Sequence, residues 1–233
     1  MNTKLLSALT ATAAATALFG AAAPAQAFSF GTNGIRFGED TSVTFKFKES
    51  HGMYQSSLGV YSVDGPAAPT LIQTLFSETK SSDKDNDWEN EWKGTLGNTV
   101  TGSGSAVFTF LANKIYTLGL NSGNDGSVYS TSALNKGSQQ AVFGGQSQLW
   151  NALGKETTDI FQAAGKYTNG TGSLFNGGTL ISFDDGGNSK DADFQDFAVS
   201  AEAVPEPMTM TGLALGFGGL VAARRRRANK TAS

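Results

Sequence analysis

Between Phe183 and Phe197 the chain reads Phe-Asp-Asp-Gly-Gly-Asn-Ser-Lys-Asp-Ala-Asp-Phe-Gln-Asp-Phe. Five of those residues, Asp184, Asp185, Asp191, Asp193 and Asp196, are carboxylates, and they fall within thirteen positions. Acids crowded this closely repel one another unless solvent or a cation neutralises them. Calcium suits such a donor set, because it takes about six to eight oxygen ligands and tolerates an irregular, glycine-bearing loop. Alternation sends Asp191 and Asp193 to one side, with Asp184 or Asp185 returning across the loop. A solvated acidic loop is the plainer reading of the same residues, and a calcium site the sharper one.

A second acidic run, Asp83-Lys84-Asp85-Asn86-Asp87-Trp88-Glu89, has the Asp-x-Asp-x-Asp opening of an EF-hand loop. Trp88 stands where the loop needs its glycine, and its twelfth position is Gly94 rather than Glu, so it is not an EF-hand. The run reads instead as a disordered acidic loop. His51 is the sole histidine and cysteine is absent, so a Ser-His-Asp triad would rest on His51 alone. Beside Glu49, Ser50 and Gly52 it reads as a surface residue at a strand end. Trp88 and Trp92, set among Asp87, Glu89, Asn90, Glu91 and Lys93, are the aromatics whose surroundings suit an exposed sugar-stacking platform; most other aromatics read as core.

The elements that must position these residues are short strands. In Ser42–Lys48 the apolar Val43, Phe45 and Phe47 alternate with Thr44, Lys46 and Lys48, the pattern of a half-buried antiparallel strand. Ser57–Val63, Ala106–Leu111, Ile115–Leu120, Thr179–Phe183 and Asp196–Ala201 read similarly. Asn33-Gly34, Asp64-Gly65-Pro66, Asn113-Lys114 and Asn124-Asp125-Gly126 supply turns between them. Only between Gln148 and Lys166 do Leu149, Leu153, Ile160 and Ala164 take helical spacing, which Gly154 weakens. The expectation is an all-β protein: a single β-sandwich, jelly-roll-like, over residues 28–203, with one or two short helices in crossover loops.

Composition narrows the chemistry. Removing Lys4, Arg224, Arg225, Arg226, Arg227 and Lys230 from the 17 basic residues, and Glu206 from the 20 acidic ones, leaves 11 and 19 in residues 28–203. That net of −8 has the wrong sign for nucleic-acid binding. One histidine and no cysteine exclude the usual zinc, haem and iron–sulfur ligand sets.

The ends concern transport. Lys4, the apolar stretch from Leu5 to about Ala23, and Ala25-Gln26-Ala27 form the three parts of a secretory signal peptide, residues 1–27, with Phe28 as the expected mature N-terminus. At the other end Val204-Pro205-Glu206-Pro207 should be extended and accessible. The sixteen uncharged residues Met208–Ala223 would span about 24 Å as a helix, short of a ~30 Å hydrocarbon core, and thinning with snorkelling arginines covers the mismatch. Arg224, Arg225, Arg226 and Arg227 read as a stop on the cytoplasmic side.

This order of Pro-Glu-Pro, short apolar span and basic end, residues 204–230, closely resembles the PEP-CTERM sorting signal of exported bacterial proteins. The resemblance implies recognition by an exosortase, a membrane-embedded cysteine peptidase, with Pro205, Glu206 and Pro207 as the motif, removal of the tail, and a cell that makes an exopolysaccharide matrix. Phe183, Asp185, Asp191, Asp193, Phe194 and Asp196 also resemble the ending of a secreted bacterial β-sandwich domain of unknown function, which implies a β fold and no reaction. The leading expectation is thus an exported, non-enzymatic surface or matrix protein, membrane-anchored as a precursor. A calcium-assisted module holding exopolysaccharide is the alternative, and a secreted hydrolase a third.

Overall fold

The computed structural model describes residues 28–65, 68–83, 92–123, 126–144, 173–186 and 194–204. They form β1 (Ser29–Gly31), β2 (Gly34–Arg36), β3 (Thr41–His51), β4 (Ser57–Ser62), β5 (Thr70–Ser77), β6 (Lys93–Gly94), β7 (Ser105–Phe110), β8 (Tyr116–Asn121), β9 (Ser127–Tyr129), β10 (Ala141–Phe143), β11 (Thr179–Phe183) and β12 (Phe197–Ala203). Two antiparallel sheets result. One runs β1-β2-β8-β4-β5 with β9 beside β8; the other runs β10-β11-β12-β3-β6 with β7 beside β3. The sandwich is open, with β5 and β7 as facing edges bridged by Gln73 Nε2 donating to Val107 O at 3.2 Å.

The core lies between the sheets. Leu58, Val60, Leu118 and Leu120 from the first meet Val43, Phe45, Phe47, Phe110, Ile181, Phe183 and Val199 from the second. Burying each such side chain contributes about 1.5–3 kcal/mol, which is what holds a chain lacking disulfides. Phe110 ties the packing together, with ring centroids 5.4 Å from Phe37, 4.7 Å from Phe108 and 5.2 Å from Tyr116.

The alternation read in Ser42–Lys48 is the middle of the eleven-residue β3. It breaks where Phe47 pairs with Val199 but Glu49 pairs with Ala198, leaving Lys48 as a bulge. The extra residue brings Ser50, opposite Phe197, onto the core side and carries Glu49 and His51 to the outer face. β5 has no counterpart in the sequence reading. Its pairing with β4 shifts register twice, between Leu58 and Gly59 and between Val60 and Tyr61, so Leu71 and Ile72 are both exposed and no period of two survives. The one helical turn among the described residues is a 3₁₀ turn at Ser132–Asn135. The helix expected between Gln148 and Lys166 lies outside the described residues, as do the expected signal peptide and the expected sorting tail with Pro205, Glu206, Pro207 and Arg224–Arg227. Among the described residues no helix is long and apolar enough to cross a membrane.

Gly59 and Gly119 face each other across the β4–β8 ladder. A Cβ on Gly119 would stand 2.5 Å from Tyr61 Cε2 and 3.2 Å from Tyr129 Cδ1, so the glycine pair is the floor on which the two edge-to-face tyrosines rest. Gly119→Ala should therefore lower stability by about 1–3 kcal/mol through overpacking, read as a lower urea midpoint with unchanged slope. A midpoint equal to that of the parent protein would show that Tyr61 moves aside freely.

Candidate metal centre

Asp184 and Asp185 follow β11 directly and Asp196 immediately precedes β12. Because Phe183 pairs with Phe197, the two ends of the intervening loop meet at the open end of the β11–β12 pair, and the three acids meet with them. Each offers a carboxylate oxygen, and these oxygens lie within 4.8 Å of one another. The cluster is held by main chain: Asp196 Oδ2 accepts from Asp185 N at 2.6 Å, and Asp184 Oδ1 from Gly186 N at 2.7 Å. Asp196 O also accepts from His51 N at 3.2 Å, and Asp184 N donates to Gln140 O at 3.1 Å, which fixes the loop ends to β3 and to the residue before β10. Gly52 is buried against the acids: a Cβ there would lie 3.5 Å from Asp196 Oδ1 and 3.9 Å from Asp185 Oδ2, ordinary contact distances. Three carboxylates this near can hold a divalent cation, since an all-oxygen set of anionic ligands is what a hard cation prefers.

Of the five acids singled out in the sequence, the structure brings together Asp184, Asp185 and Asp196; Asp191 and Asp193 lie outside the described residues. Trp88 is outside them too. Trp92 is half-buried and directly precedes β6, where Ser50 pairs with Gly94 and His51 with Lys93.

Two expectations need correction. His51 is not a surface histidine: its side chain is 11% exposed, with Nε2 3.4 Å from Glu49 Oε1, while Lys93 Nζ lies 3.4 Å from Glu49 Oε2. Burial works to raise the Glu49 carboxyl, but His51 and Lys93 together outweigh it and hold it below the usual carboxylate range. The cause is the Lys48 bulge, which sets Glu49 and His51 on one face opposite β6. Asp83, read as part of a disordered loop, is an anchor. It accepts from Thr95 N at 2.9 Å, Thr95 Oγ1 at 2.7 Å and Thr99 Oγ1 at 2.9 Å. Burial opposes its ionisation, and these bonds, with Lys80, outweigh that and hold the carboxyl down.

The sequence reading missed Glu78, which closes β5 and is 4% exposed. Its carboxylate accepts from Ser50 Oγ and, at 2.7 Å, from Ser56 N, and its main-chain O accepts from Gln55 Nε2 at 2.7 Å. Burial pushes this carboxyl up to about 7; the bonds from Ser50 and Ser56 oppose the rise, and the charge of Asp185 adds to it. The available signal was an acid at the end of an apolar stretch, Leu75-Phe76-Ser77-Glu78.

A carboxyl whose folded value lies above its unfolded 4.5 favours the fold most when both states are protonated. Its contribution therefore falls as pH rises from about 4.5 to about 7 and is level above that, a decline of roughly 3 kcal/mol. Glu78→Gln should remove this decline, so that the variant gains on the parent protein as pH rises through that window, measured by urea unfolding at pH 5 and pH 8. A constant difference at the two pH values would show that Glu78 ionises in the fold as freely as in the unfolded chain.

Comparison with known proteins yields no match: no family model fits the chain, and no curated protein or solved structure is similar to it.

Proposed function

We propose that the protein is an exported, non-enzymatic β-sandwich module that holds exopolysaccharide with the help of calcium. The observation that carries this reading is the convergence of Asp184, Asp185 and Asp196 to within 4.8 Å. Calcium is favoured over magnesium because the ligands come from an irregular loop end rather than an octahedral cage, and calcium accepts added hydroxyl ligands readily. Vicinal hydroxyls of a sugar would complete its shell, and Trp92, just before β6, would offer the apolar face of a stacked ring. A hydrolytic reading would look to Glu78 as an acid near Asp185, but its carboxylate is committed to Ser50 and Ser56. The sandwich is read as jelly-roll-like. The ends support export: the leader up to Ala27, and a tail whose Pro205-Glu206-Pro207, apolar span and Arg224–Arg227 resemble an exosortase substrate anchored in the membrane before processing.

Calcium, bound by the folded chain and not by the unfolded one, should raise stability by roughly 2.7 kcal/mol at about 100 times its dissociation constant. Sites of extracellular modules bind at about 0.1–1 mM, so the thermal melts should run to tens of millimolar. Asp185→Asn and Asp196→Asn should abolish the shift, and magnesium should give a smaller one. The structure already buries Asp184 and Asp185, against the solvated-loop expectation, and equal shifts with both ions, unchanged in the variants, would show that these buried acids hold no ion. Calcium-dependent retention on the producing cell's exopolysaccharide should weaken about tenfold in Trp92→Ala; retention indifferent to calcium and to Trp92 would refute the sugar reading. For the tail, intact-mass measurement of surface or released protein should end near residue 207, whereas recovery of Met208–Ser233 in that fraction would leave an unprocessed anchor.

A further inference from the structure

The strands of the second sheet give the sandwich two unlike poles. β3 runs from Thr41 to His51, roughly 33 Å at ~3.3 Å per residue. The acids and Gly52 gather at its His51 end. At its Thr41 end both described chain ends emerge: Val204 N donates to Ser42 O at 2.8 Å, Ala203 N to Leu174 O at 2.8 Å, and the Phe28 ring stacks on Phe37 and meets Phe175 edge-on at 4.9 Å. The same pole carries Leu111, whose turn is fixed by Asn113 N donating to Phe37 O at 2.8 Å, and Ile115, just before Tyr116, whose ring packs on Phe110. Phe28, Leu111, Ile115, Phe175 and Val204 are 44–50% exposed and make up half of the ten large apolar side chains exposed among the described residues. Such a concentration at one end of a net-acidic body marks a contact surface rather than scatter.

We infer that this pole is the face laid against a lipid bilayer, with the candidate metal centre held at the far pole, pointing away from it. The inference rests on the reading of the tail as a membrane anchor. Val204 is followed by Pro205, Glu206 and Pro207 before the uncharged run begins at Met208, and four residues span at most about 14 Å. With that run in the hydrocarbon, the pole stands at the depth of the headgroups, about 5–8 Å thick per leaflet. Phe28, the expected mature N-terminus, lies in the same patch, stacked on Phe37. The contact is apolar rather than electrostatic. Glu39 and Asp40 are exposed beside it, Arg36 bonds Asn113, and Lys114 pairs with Asp64 at 3.3 Å, so the pole offers no excess of positive charge to anionic lipid.

The chain has no cysteine, so single introduced thiols are unique. Full-length Phe175→Cys and Leu111→Cys report on the near pole, and Met53→Cys, 55% exposed beside Gly52, on the far one. Each is labelled with an environment-sensitive dye and reconstituted in phosphatidylcholine vesicles carrying a shallow quencher lipid. Quenching at 175 and 111 should exceed that at 53 at least about threefold, with little change on adding phosphatidylserine or salt. Co-flotation with vesicles but equal quenching at all three sites would overturn the orientation while leaving the anchor standing. Absence of co-flotation would overturn the anchor and the inference together. Disulfide-linked dimers through 175 or 111, with no quenching there, would assign the patch to a second copy of the chain and overturn it likewise.

Discussion

The pairing of β3 with β12 is the interaction on which the rest of this structure depends. It joins the first long strand of the body to its last, with Val43 opposite Ala203 at one end and Ser50 opposite Phe197 at the other. β3 also takes β7 and β6 on its other side, so the sheet cannot form until residues some 150 positions apart have met. Contacts of that separation close large loops before they are rewarded, which is the usual reason such sandwiches fold slowly. The same pairing places both the acids before β12 and the chain's exit at Val204, at opposite ends of one ladder.

The Lys48 bulge within that ladder decides what occupies the far pole. Without the extra residue, the period of two would carry Glu49 and His51 into the core and Ser50 out of it. With it, Ser50 turns inward to Glu78, and Glu49 and His51 form an outer pair with Lys93. The apolar core thus ends in a polar floor of Ser50, Ser56 and Glu78, directly behind the acids that follow β11. Burying the Glu78 carboxyl is costly; burial is the main reason it is pushed up to about 7, and the charge of Asp185 adds a smaller share. Such a cost is carried where a site needs its charges close together, and less often where stability alone is at stake.

How much of this was legible in the sequence follows from where local pattern and tertiary pairing agree. Six strands were readable because they alternate or run apolar: Val43, Phe45 and Phe47 fill the core as their spacing says. β5 was not, because two register shifts against β4 destroy the period and leave adjacent Leu71 and Ile72 both in solvent. The acids after β11 and before β12 were readable as a group because they are neighbours in sequence. Glu78 was not, since its relation to Asp185 exists only after β5 and β11 have been placed in different sheets. His51 and Asp83 were misjudged for a related reason: a histidine beside a turn and an acid in a charged run look solvated until Glu49, Lys93, Thr95 and Thr99 are brought to them.

The two poles differ because their chemistry answers different constraints. At the Thr41 end the buried Phe37 and Phe110 lie beneath Phe28 and Phe175, which are about half exposed, and contact with water makes that exposure unfavourable. At the His51 end the strands finish in carboxylates, whose mutual repulsion is relieved by water or a cation and would be worsened by an apolar neighbour. With the tail anchored as proposed, an apolar end and an acidic end would give the body one preferred orientation at the membrane. That orientation would keep the acids and Gly52 on the side from which a matrix polymer would approach.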